Sequence, residues 1–167
     1  MIGFNLSEGG HLVNALPPQN ISGGKTAQAF SMAGYKHASI VVLLGALAGE
    51  GATLLLYVCS SAAGANPVAI PFNYYFQAAA GAGNDVLSAL NSATAAGLAF
   101  AAGVTPANGA VVIEIDANEL EAAGVYLGQD AYLQVKLNDA AEADYAAVAV
   151  ILSGARNANV GSGSVTV

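Results

Sequence analysis

The chain has 167 residues, of which only 9% are charged, against roughly 25% in an ordinary soluble domain. Its net charge is −7, and its four cations, Lys25, Lys36, Lys136 and Arg156, are too few to neutralise a phosphate backbone, so direct nucleic-acid binding is not expected. Hydrophobic residues make up 55% of the chain, many of them Ala, beside 20 Gly; small neutral side chains must therefore cover most of the surface, and such a surface packs readily against a copy of itself.

Taken along the chain, the first residues, Met1 to Glu8, show neither the basic start nor the apolar core of a secretory signal. Residues 1–26 place Gly9-Gly10, Pro17-Pro18 and Ser22-Gly23-Gly24 in close succession with little periodicity, which predicts an arm or extended lead-in. Ala38 to Leu44, with Ile40, Val41 and Val42, and Ala52 to Ser60 are short apolar runs around Gly49-Glu50-Gly51, and together they read as a hairpin. The hydrophobic stretch Ala38 to Gly49 is about half of a membrane helix and is followed by Glu50, so no membrane association is expected. Cys59 ends an apolar run and has no second cysteine to pair with, so it reads as an inert core thiol.

Further strand-like runs follow at Val68 to Gln77, Gly97 to Ala102, Ala110 to Asp116, Ala131 to Asn138 and Tyr145 to Ser153. In the fourth of these, Leu133, Val135 and Leu137 share one side and Tyr132, Gln134 and Lys136 the other, which predicts one wet face. Tyr145 to Leu152 is apolar on both sides and belongs at the centre of a sheet or at an interface. The Ala-rich stretch Ala78 to Ala96 is ambiguous, since Asn84 to Leu90 could form a short helix and the rest a loop, and Asp139, Glu142 and Asp144 predict a solvated loop before Tyr145. The expected fold is all-β: one antiparallel β-sandwich or jelly roll with one or two short helices, over residues 27–157, with residues 158–167 as a tail. Either end can add a strand to an exposed sheet edge on another subunit.

Several motif fragments dissolve on inspection. Gly24-Lys25-Thr26 lacks the Gly that a phosphate-binding loop needs five positions earlier, where Gln19 stands, and Gly81-Ala82-Gly83 reaches Val86 instead of its third Gly. Asn5-Leu6-Ser7 and Asn20-Ile21-Ser22 fit the glycosylation sequon, which means nothing without a secretory route. The acidic run Glu114, Asp116, Glu119 and Glu121 fails the calcium-loop pattern because Leu120 stands where an oxygen ligand is needed. It reads better as a helix start, with Asp116 as cap, Glu119 completing a box and Gly124 ending the helix.

Catalysis has few carriers. His11 lies in the Gly-rich lead-in and His37 before an apolar strand, with no nucleophile or orienting carboxylate beside either in sequence, so each reads as a surface or edge histidine. No cofactor and no metal is expected. The aromatic cluster Phe72, Tyr74, Tyr75 and Phe76 suits a subunit contact or core packing, and secondarily a sugar ring.

The order of these segments carries a resemblance. Tyr35-Lys36-His37-Ala38 leads into Ile40 to Gly45, and a turn follows at Ala62-Ala63-Gly64. Then come Pro71-Phe72-Asn73-Tyr74-Tyr75, Val111 to Leu120 and a closing Leu152-Ser153-Gly154-Ala155-Arg156. Between about Lys25 and Asn157 this pattern resembles small jelly-roll-like virion proteins of tailed bacteriophages. The resemblance implies a non-enzymatic decoration or cement subunit, made in the host cytoplasm and bound to the capsid exterior. Its partners would be the major capsid protein and copies of itself, with a trimer compatible with local threefold positions. Phe72, Tyr74, Tyr75, Phe76 and the N-terminal arm would be its contact regions, each contact modest and the avidity high. Another virion role (head fibre, tail or filament subunit) shares this composition, and a sugar-binding module shares the sandwich; an enzyme fits least.

Overall fold

The computed structural model describes residues 6–47, 52–79, 86–101, 105–122, 132–138 and 144–155. A single helical turn, α1 (Leu6–Gly9), runs into β1 (Gly10–Asn20), and β2 (Lys25–Thr26), β3 (Phe30–Ser31), β4 (Tyr35–Leu44) and β5 (Thr53–Cys59) follow. After β6 (Val68–Ile70), β7 (Phe72–Gln77), β8 (Asn91–Ala93), β9 (Leu98–Ala99) and β10 (Ala110–Asp116) comes the short helix α2 (Ala117–Ala122), then β11 (Tyr132–Asn138) and β12 (Tyr145–Ala155). One sheet has the order β1-β12-β4-β10-β7-β8; the other runs β2-β11-β5-β6, with β3 also on β11 and β9 on β5. The chain is an all-β antiparallel sandwich with short helices. Its pairs are nested, β4 with β12, β5 with β11 and β7 with β10, which makes it jelly-roll-like.

Alternation builds the core between the sheets. Ile40 and Val42 of β4, Val111 and Ile113 of β10, and Val148, Val150 and Leu152 of β12 all point inward without exposed surface. Leu54 and Leu56 of β5 and Leu133, Val135 and Leu137 of β11 meet them from the second sheet, with Phe30, Ile21 and Met32 filling between. Burying each such side chain contributes about 1.5–3 kcal/mol. As its pattern predicts, β11 keeps Gln134 and Lys136 partly exposed on the other face, and β12, apolar on both sides, is a central strand between β1 and β4. Cys59 is buried, and that burial pushes its thiol up from its usual range.

Four expectations are corrected. The runs at 38–44 and 52–60 do not form a hairpin: a strand has two edges, those of β4 are taken by β12 and β10, and β5 pairs in the other sheet with β11, β6 and β9. The lead-in is no free arm from Gly10 onward, because β1 pairs with β12 and β2 with β11, so residues 10–26 belong to the sandwich. The run at 68–77 breaks at Pro71, which has no N–H to give a ladder, and there the chain passes from the second sheet to the first. Asp144 is buried and not solvated, its carbonyl accepting from the Ile21 N–H.

Residues 86–90 are not helical, Leu87 making an isolated bridge to Gln77. Of the described residues in the run expected at 97–102, only Leu98–Ala99 is strand. Asp139, Glu142, Gly124 and the tail at 158–167 lie outside the described residues. Among the described residues no helix is long and apolar enough to cross a membrane.

Candidate functional site

The outward face of the sheet formed by β1, β12, β4, β10, β7 and β8 is built by the residues that alternate with the core. Registers across β1, β12, β4 and β10 align Leu12, Ile151, Ser39 and Glu114 in one row and Asn14, Ala149, Val41 and Val112 in the next, where Tyr75 of β7 follows. A third row holds Ala147, Leu43, Ala110 and Gln77. The face thus divides into two halves. The apolar half presents Leu12 (55% exposed), Leu43 (50%) and Tyr145 (51%), with Val41, Val112, Tyr75 and Ile151 partly exposed between them and no charged side chain among them.

The other half is ionic. His37 and Asp116 are cross-strand partners on β4 and β10, as are Ser39 and Glu114. The imidazole Nδ1 lies 2.8 Å from Asp116 Oδ1 and Nε2 lies 2.7 Å from Glu114 Oε2. Ionised carboxylates only accept, so the arrangement in which both ring nitrogens donate is that of the protonated ring. Partial burial works against that charge, but the hydrogen bonds and charges of Asp116 and Glu114 outweigh it and raise the pKa of His37.

Ser39 completes the cluster: its Oγ donates to Glu114 Oε2 at 2.7 Å and sits 3.3 Å from His37 Nε2. Serine, histidine and Asp116 in this order have the connectivity of a nucleophile, base and orienting group. Glu114 interrupts it. Its oxygen is closer to Nε2 than the hydroxyl is and also holds the hydroxyl proton, so in this arrangement His37 has no lone pair with which to activate Ser39. The geometry is that of a charge clasp tying β4 to β10.

No protein-family model, no curated protein and no solved structure matches this chain. The site is therefore read from its own chemistry.

Beside the clasp lies a cleft of about 540 Å³ where α2, β8 and the corner at Pro71 meet the end of β10. Glu114 belongs to both: it holds His37 and it lines the cleft with Glu119, Asn73 and an apolar wall that includes Ile70, Ile115 and Leu120. The helix expected at the acidic run is present as α2, directly after Asp116. Asp116 spends Oδ1 on His37, a role the capping pattern does not reveal. Among the described residues no group of three or more His, Cys, Asp or Glu side chains is arranged to hold a metal ion.

The aromatic cluster is divided by the pleat. Phe72 and Tyr74 are buried and Phe76 is packed against the core, with ring centroids 6.1 Å apart for the first pair and 5.1 Å for Tyr74 and Phe76. Tyr75 alone of the four points outward, opposite Val112. A contact patch of four aromatics is thus reduced to Tyr75 and the partly exposed edge of Phe76, because residues two apart on a strand share a face. His11 stacks on Tyr35, 6.2 Å between centroids, apart from the clasp.

Reading by residue missed the clasp. The signal was there as two spacings, His37-x-Ser39 and Glu114-x-Asp116, each placing two polar groups on one face of an otherwise apolar strand. What joins them is the pairing of β4 with β10, which no local pattern encodes.

Proposed function

We propose that this chain is a non-enzymatic structural subunit of a virion, a decoration protein of the tailed-phage kind, which docks through the outward face of the sheet that contains β4 and β10. One observation carries the reading: the apolar half of that face, from Leu12 and Ile151 across Val41 and Leu43 to Val112 and Tyr75, is exposed at Leu12 and Leu43 and partly exposed between them, with no charge among these residues. Leaving such a patch wet is unfavourable by about 25 cal/mol per Å² of apolar area, and patches of this kind mark protein contact sites. The small Ala149 in its middle lets a second surface approach closely.

Copies of the chain are the first occupant, since the patch is neutral in a protein that elsewhere carries a net charge of −7, and the major capsid protein is the second. A cement subunit of this design adds interface area across capsomer boundaries and raises the barrier to shell rupture. A head-fibre, tail or filament subunit would use the same face against a different neighbour. The sugar-binding alternative loses its stacking platform, because Phe72 and Tyr74 are packed into the core.

The test is sedimentation of the purified chain with shells of a major capsid protein from the genome that encodes the chain. Co-sedimentation at a fixed ratio, abolished by Leu43→Lys, is expected; no binding, or binding indifferent to that substitution, contradicts the reading.

A further inference from the structure

We propose that the cleft beside α2 receives a basic side chain, lysine or arginine, from a partner protein. The proposal rests on the docking reading for what carries that side chain, and on the cleft alone for the chemistry. At about 540 Å³ the cleft is large enough for an extended side chain. Its apolar wall, Ile70, Ile115 and Leu120, suits the methylene stem, as long charged side chains lie along apolar surface and keep the head group at a polar rim.

The rim is negative. Glu114 and Glu119 line it, and Asp116 lies two residues beyond Glu114 on β10, so three carboxylates stand near one histidine, which pairs with Glu114 and Asp116. The two hydrogen bonds that Glu114 accepts, from His37 and Ser39, both fall on Oε2. Its Oε1 has no partner among the described residues and is free to accept from an ammonium or guanidinium. Lys36, the cation of β4, lies over Gly154 of β12, on the opposite side of β4 from the cleft.

Asn73 adds direction. Its Oδ1 accepts from Ser92 Oγ at 2.7 Å, which fixes the amide with Nδ2 uncommitted among the described residues. That donor suits a backbone carbonyl of the segment that brings the basic side chain. A neutral sugar would leave the carboxylates uncompensated, and an anion would be repelled. The whole-chain balance of 11 acidic against 4 basic residues draws the same kind of partner from a distance. Glu114 also lies in the row that continues through Ser39 and Ile151 to Leu12, so a protein covering the apolar half reaches the cleft without a gap.

The probes are N-acetyl-lysine amide and N-acetyl-arginine amide, titrated into the ¹⁵N-labelled full chain and followed by NMR, with N-acetyl-norleucine amide and a methyl glycoside as comparison. The expected result is a millimolar response to the two basic probes at the Asn73 side-chain amide and at Ala93 and Leu120. Glu119→Gln, an exposed position whose loss leaves the clasp intact, weakens that response by about threefold, and Glu114→Gln weakens it further. No response, an equal response to norleucine amide or to the glycoside, or a response that both substitutions leave unchanged overturns the proposal. Shell binding that persists when the cleft is silent removes the cleft and leaves the docking reading; a cleft response without shell binding does the reverse.

Discussion

The two faces of the sheet that contains β4 and β10 are written by adjacent residues of the same strands, yet they meet different fates. In β4, Ile40 and Val42 are sealed in the core while Val41 and Leu43 look outward, and in β10 Ile113 is buried while Val112 is partly exposed. In an ordinary one-sided sheet the outward residues would be polar. Here the end that holds His37, Ser39, Glu114 and Asp116 follows that rule, and the rest of the face is apolar apart from Asn14 and Gln77. The difference teaches that inward hydrophobicity folds this chain, whereas outward hydrophobicity adds less to the isolated fold and suits the docking surface proposed above.

Breaking the inner face has the largest effect. Ile113→Ala leaves a cavity in a fully buried position and lowers unfolding stability by about 2–5 kcal/mol in a denaturant titration. Gly97→Ala comes next: Gly97 sits at a φ of 92°, and an added Cβ would lie 2.6 Å from the Leu54 carbonyl oxygen. The strain lowers stability by about 1–3 kcal/mol, read from the same titration.

The ionic end of the outer face sharpens the comparison through pH. The folded pKa of His37 is raised above its reference value of 6.5, so its contribution is complete below that value and is lost as pH rises through the folded pKa. For an open clasp the loss is about 0.2–1 kcal/mol. Thermal melts across that window show the decline in the parent chain and a flat profile in His37→Gln. Smallest for stability is Leu43→Lys on the apolar half, which changes unfolding of the dilute monomer by no more than about 0.5 kcal/mol while removing its association.

Much of the sandwich was legible because several strands are short alternating runs bounded by turn residues. Leu133, Val135 and Leu137 mark β11 unaided, and β10 begins after a turn in which Asn108 takes a φ of 57°. Pairing was not legible. The runs that became β4 and β5 look like a hairpin because they are consecutive, but each is the middle of a different sheet. Residues 10–20 look like an arm because Pro17 and Pro18 break the pattern, yet β1 is an edge strand whose registers shift there, and an edge tolerates proline. For the same reason the clasp stayed hidden: its halves lie more than seventy residues apart and meet only through the β4–β10 register. The cleft depends on the corner at Pro71 and the placement of α2, neither of which a local pattern locates.

The most direct test of the outward face as a docking surface is light scattering of the purified chain over a concentration series, run beside Leu43→Lys. The account predicts a discrete closed oligomer for the parent chain and a monomer for the variant at every concentration. A parent chain that stays monomeric throughout, or a variant that assembles as the parent does, would contradict it.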